Sequence, residues 1–127
     1  MNRFVLSIGS NSGDRGYQMS QIVTLLNDLF NNISVSDIYE TPAINGKDAP
    51  YLNGVIIGHT SMNLDEAVKT LKELERNQGR TPELKIQGIV PIDIDVVIWN
   101  DEIVRMRDYE QDYFSQGYRQ LNRNSNN

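Results

Sequence analysis

The chain has 127 residues, no cysteine, and 17 acidic against 12 basic side chains, a net charge of −5. That length supports one hydrophobic core without disulfides or a structural metal, and the missing cysteines exclude a disulfide framework, a thiolate zinc site and a cysteine nucleophile. The acidic balance argues against nucleic-acid or anionic-membrane binding, and the apolar run in MNRFVLSIGSN is too short for a secretion signal or a membrane span, so a cytoplasmic protein is expected.

Residues 3–9, RFVLSIG, are strand formers closed by glycine and read as a buried first strand. SNSGDRG (10–16) is a turn by composition. Met19, Ile22, Leu25, Leu26 and Leu29 recur at helical spacing, which predicts a helix over about 15–30 ending near Asn31–Asn32. ISVSDIYE (33–40) shifts its apolar phase before Ile38, as a half-buried strand with a bulge does. A proline-bounded loop, TPAINGKDAP (41–50), leads to LNGVIIGHT (52–60), a strong strand and the hairpin partner of the one before the loop. Asn63 with Glu66 has the form of a capping box, and Leu64, Ala67, Val68, Leu71 and Leu74 supply the stripe of a helix to about Asn77, which Gly79 stops. Residues 80–90 read as a loop, 92–99 as a strand, and Asn100–Asp101 as a tight turn into a short strand at 102–104. A single domain is expected over 1–121, followed by a polar, disordered tail over 122–127. The order β-α-β-β-α-β with an added short strand is that of a ferredoxin-like α+β sandwich, a largely antiparallel sheet with helices on one face.

The strand PIDIDVVIWN (91–100) carries two acids in an apolar run. Alternation sends Ile92, Ile94 and Val96 to one face and Asp93, Asp95 and Val97 to the other, with the acids roughly 6.5–7 Å apart along the strand. Two anions so close repel unless something positive lies between them. A hard divalent cation such as Mg²⁺, held by one or two carboxylates and substrate phosphates, fits. A half-exposed strand with an acidic outer face fits the same D-x-D. His59, the only histidine, reads as a strand-edge residue and not as a ligand or base.

SIGSNSGDR (7–15), IYETPAI (38–44), DAPYLNGV (48–55), ERNQGR (75–80) and PIDIDVVIWNDEIV (91–104) resemble, in order and nearly in spacing, segments of the 6-hydroxymethyl-7,8-dihydropterin pyrophosphokinase family. The resemblance covers residues 4 to about 104 well and the remainder weakly. It implies transfer of diphosphate from ATP to the pterin hydroxymethyl group in folate biosynthesis, with small-molecule partners only, a monomer, and two Mg²⁺ ions held by Asp93 and Asp95. By the same resemblance Asp93, Asp95 and Arg80 are catalytic, and Glu75 and Arg80 contact nucleotide. Thr41, Pro42, Ile44, Tyr51 and Asn53 would line a pterin pocket, with Tyr51 stacked on one ring face and Tyr118 supplying the other. The chain departs from the family pattern at Pro82, Val90 and Gln116, where arginines are usual, at Gln87, where tryptophan is usual, and in a shortened segment that lacks the family's histidine. Lys85, Arg119 and Arg123 are the candidates to replace the lost cations. Two alternatives stand beside this reading. One is a degenerate homologue that binds pterin or nucleotide with little catalysis. The other is a ferredoxin-like regulatory or interaction module, in which Asp93→Ala and Asp95→Ala leave ligand binding unchanged.

Overall fold

The first strand, β1 (Asn2–Ser10), is almost wholly buried because both its edges and both its faces are covered. The computed structural model describes the backbone of residues 1–125 and the side chains of 1–123. β1 pairs antiparallel with β4 (Tyr51–Thr60) along its whole length and, on its other edge, with β5 (Asp93–Trp99). The sheet is completed by β2 (Ser34–Val35) and β3 (Tyr39–Thr41), both on the far edge of β4, and by β6 (Glu102–Ile103) beside β5. Its order is β2-β4-β1-β5-β6, all pairings antiparallel.

The expected strand over 33–40 is two short strands because Ser36 leaves the ladder. Its hydroxyl accepts from the Val55 amide at 2.9 Å, and its own amide donates to the Val55 carbonyl at 2.9 Å. In β5 the register with β1 shifts between Val5 and Leu6, so Val97 is an extra residue. Val97 and Ile98 therefore both lie in the apolar cluster of the second sheet face, and Trp99 returns to the first.

On the first face, α1 (Arg15–Phe30) and α2 (Leu64–Asn77) lay Met19, Ile22, Leu26 and Leu71 on Phe4, Leu6, Ile8, Ile56, Ile94 and Val96. The capping box of α2 is present: Glu66 N–H donates to Asn63 Oδ1 at 2.9 Å, and Asn63 N–H to Glu66 Oε1 at 3.2 Å. Two short helices were unforeseen. Residues 80–90, expected as a loop, contain α3 (Pro82–Ile86), capped by Thr81, whose Oγ1 accepts from Leu84 N–H at 3.2 Å. α4 (Met106–Tyr109) follows β6.

The fold class is the expected one, but helices are not confined to one face. α5 (Asp112–Ser125) packs Phe114 and Leu121 onto Val5, Val55 and Val97 of the opposite face. Residues 122–125, expected in the tail, continue this helix, and 126–127 lie outside the described residues. Among the described residues no helix is long and apolar enough to cross a membrane.

Candidate functional site

The antiparallel registers build the site row by row. Gly9 lies between Asn53 of β4 and Asp93 of β5, and Ser7 between Val55 and Asp95. Side chains of these rows share the second sheet face, which is polar at this end and apolar where α5 sits. Because Gly9 has no side chain, the space between Asn53 and Asp93 is open; a Cβ there would lie 3.0 Å from Asn53 Oδ1 and 3.4 Å from Tyr51 Cδ2.

A cavity of about 400 Å³ rises from that row. Its walls are Pro42, Ala43, Ile44 and Tyr51, with Thr41, Asn53 and Asp93 at its polar end. That is the size and the mixture of apolar wall with few polar groups expected of a small-molecule site. Asn53 is buried, and its amide nitrogen donates to Thr41 Oγ1. Burial and the nearby Asp93 charge raise the Tyr51 phenol above its ordinary range.

A second cavity of about 200 Å³ opens beyond the acids between α2 and β5. Leu64, Val68, Leu71, Val96 and Val104 give it apolar walls, and Asp95 lies in its lining as Asp93 does in the first. The two carboxylates, two residues apart on β5, thus each line one of the cavities, and each feels the other's charge. Such a pair must share either a proton or a cation. Burial, and then the Asp93 charge, push Asp95 up to about 8. Burial acts upward on Asp93 too, but hydrogen bonds from Asp95 and Arg80 leave its carboxyl below the usual range. Among the described residues no third acid or histidine joins them in a cluster able to hold a metal. Two oxygen donors facing open space suit a hard cation whose other ligands are water and phosphate.

Cations surround the pair. Arg80 Nη1 lies 2.6 Å from Asp93 Oδ1 and 3.1 Å from Glu75 Oε2, and Lys72 Nζ and Arg105 Nε lie 3.8 and 3.9 Å from Asp95. Glu75, 3 % exposed, accepts the Ile94 amide at 2.7 Å, while Lys72 approaches it to 3.3 Å. Burial raises its carboxyl despite these partners. It occupies the buried stripe Ala67, Leu71, Glu75 of α2, a spacing readable from the sequence.

A scan against known families matches residues 5–122 to the family described as 7,8-dihydro-6-hydroxymethylpterin-pyrophosphokinase. The chain belongs to that family. It is 36 % identical over 108 residues to a folate synthesis bifunctional protein of Chlamydia trachomatis, covering 80 % of this chain and 24 % of the relative. It is 30 % identical over 103 residues to a 2-amino-4-hydroxy-6-hydroxymethyldihydropteridine pyrophosphokinase of Aquifex aeolicus, covering 80 % of this chain and 64 % of the relative. A protein of the same name from Bacillus subtilis is 34 % identical over 100 residues, with 76 % and 59 % covered. The chain therefore spans about a quarter of the bifunctional relative and under two thirds of the other two.

Of the residues that the family resemblance singled out, Thr41, Pro42, Ile44, Tyr51, Asn53 and Asp93 line the larger cavity, and Asp95 lies in the second. Arg80 stands behind Asp93, and Glu75 is buried beneath both, engaged by the protein's own groups. Tyr118 is not brought to the cavity. Its ring stacks on Phe114 at 5.2 Å under α5, and Tyr113 lines the cavity instead. Lys85 does reach the lining, whereas Arg119 and Arg123 are exposed on α5. Gly9, Arg107 and Tyr113 are lining residues that sequence reasoning missed. No local signal marks Gly9, since its importance comes from a register between strands distant in sequence.

Proposed function

We propose that the chain transfers diphosphate from ATP to the hydroxymethyl group of 6-hydroxymethyl-7,8-dihydropterin. The observation that carries this reading is the carboxylate pair of β5, of which Asp93 lines one cavity and Asp95 the other, in a chain of the pyrophosphokinase family. The larger cavity takes the pterin. Tyr51 and Ile44 give a flat ring apolar walls, and Asn53 Oδ1, which accepts no hydrogen bond among the described residues, is free to accept from the ring's amino group. The apolar walls of the second cavity suit the nucleotide base, which leaves its phosphates over Asp95.

In the reaction the hydroxymethyl oxygen attacks the β-phosphorus of ATP, the bond from that phosphorus to the oxygen bridging it to the α-phosphate breaks, and AMP leaves. No protein atom is covalently involved, so the chain contributes positioning and charge. Magnesium bound to Asp93 and Asp95 would supply neutralisation of phosphate charge. Arg80 holds Asp93 in place through its 2.6 Å contact, and Glu75 fixes Arg80 and the start of β5 together.

The test is AMP formation from ATP, Mg²⁺ and the pterin, with Asp95→Asn as comparison. AMP with a large loss in the variant is expected. ADP in place of AMP, or no pterin binding to the unsubstituted chain, refutes the reading. Pterin binding without AMP leaves a binding protein in place of an enzyme.

A further inference from the structure

The larger cavity carries charges of both signs. Asp93 lines it beside Gly9 and Asn53, and its exposed rim is lined by Lys85 of α3 and Arg107 of α4, from elements on either side of β5 in the chain, and by Asp48. The other cations near the acids have partners: Arg80 binds Asp93 and Glu75, Lys72 lies against Glu75, and Arg105 is bonded to Asp108. Lys85 and Arg107 differ. Among the described residues neither forms an ion pair, although Asp48 and Asp93 line the same cavity. Both are exposed and keep the reach of long, unrestrained side chains.

A lone anion in this cavity would meet Asp93, and a lone cation would meet the rim. What matches both is a metal–phosphate unit, cation inward on the carboxylates and phosphate oxygens outward toward the two basic side chains. We infer that Lys85 and Arg107 form a clamp for a diphosphate group at the mouth of the cavity, each binding its oxygens from one side. This rests on the proposed reaction, and names residues that would hold the transferred group and the diphosphorylated product. An arginine and a lysine suit it, because one presents a planar fork of donors and the other a mobile point charge.

The test measures binding of inorganic pyrophosphate in the presence of Mg²⁺ by titration calorimetry on the full chain. Lys85→Gln, Arg107→Gln, their double variant, Lys85→Arg and, as control, Arg119→Gln are compared. Each single loss should weaken binding about 3–10-fold and the double loss about 10–100-fold, the range for exposed charge-assisted contacts. Lys85→Arg and Arg119→Gln should stay within about twofold. Thermal melts should be unchanged, since both side chains are exposed. Equal affinity in the double variant and the unsubstituted chain, or no pyrophosphate binding to the unsubstituted chain, overturns the clamp. Fluorescence titration with the pterin alone reads the larger cavity separately. Pterin binding that survives in the double variant while pyrophosphate binding falls supports the clamp, whereas failure of the pterin to bind at all counts against the proposed reaction and not against the clamp.

Discussion

At the scale of single residues, Asp95 holds its proton up to about pH 8 because burial and the neighbouring Asp93 charge disfavour its anion. Unfolding returns it to an ordinary carboxyl of about 3.9. Between these limits the native state binds more protons than the unfolded chain, so metal-free stability falls as pH rises from about 4 to about 8. Asp93, whose value is lowered, acts in the opposite sense only below that window. In EDTA, Asp95→Asn should therefore melt above the unsubstituted protein at pH 8, and the difference should shrink toward pH 4. A constant difference across that range would refute the assignment. Gly9 makes the second residue-scale prediction. A methyl group there meets Asn53 Oδ1 at 3.0 Å and the Tyr51 ring at 3.4 Å, so Gly9→Ala should weaken pterin binding about 10–200-fold, the usual effect of misfilling a fitted pocket. The melting temperature should change little. Fluorescence titration of the pterin checks the first statement and circular dichroism the second.

At the scale of elements, α5 is fixed to the sheet by an unusually close approach. A Cβ on Gly117 would lie 2.7 Å from Val55 Cγ2, 2.8 Å from Ser36 Oγ and 2.9 Å from the Tyr39 hydroxyl. That hydroxyl donates to the Tyr113 carbonyl at 2.6 Å and accepts from the Gly117 amide at 3.1 Å, which ties β3 to the helix that brings Tyr113 to the cavity. Gly117→Ala must push α5 outward and should cost about 1–3 kcal/mol, read from denaturant midpoints. Because Tyr113 moves with the helix, pterin affinity should fall as well. A variant as stable as the parent, with undiminished affinity, would show that α5 is not held in this way. The helix left a faint mark in the sequence, since Phe114, Tyr118 and Leu121 are spaced by four and three residues. Gly117 inside that stripe reads locally as a breaker, and only the approach to Val55 explains it. α3 was more legible: Thr81 followed by Pro82 and Glu83 is a helix start, obscured by the helix's length of five residues.

At the scale of the whole molecule, two apolar clusters lie on opposite faces of one sheet, and β1, β4 and β5 belong to both. The domain should therefore unfold as one unit. Phe114→Ala empties a fully buried position of the second cluster and should cost about 3–5 kcal/mol. Trp99, the only tryptophan, packs on the first cluster and reports from the other side of the sheet. Its fluorescence should shift in the same transition as the tyrosine circular dichroism of the second face, and separate transitions would mean that the two layers fold independently.

The sequence alone determined what is set by short-range periodicity: the alternation that puts Asp93 and Asp95 on one face, the stripe and capping box of α2, and the stop at Gly79. Each depends on backbone geometry within a few residues, so neighbouring side chains suffice to read it. Only the tertiary structure decided that Gly9 opens the space between Asn53 and Asp93, that Glu75 is buried under Arg80, that Tyr118 packs in a core while Tyr113 meets the cavity, and that Lys85 and Arg107 reach the same rim. These are juxtapositions of segments tens of residues apart, fixed by strand register and by which face a helix covers, and neither has a local period to betray it.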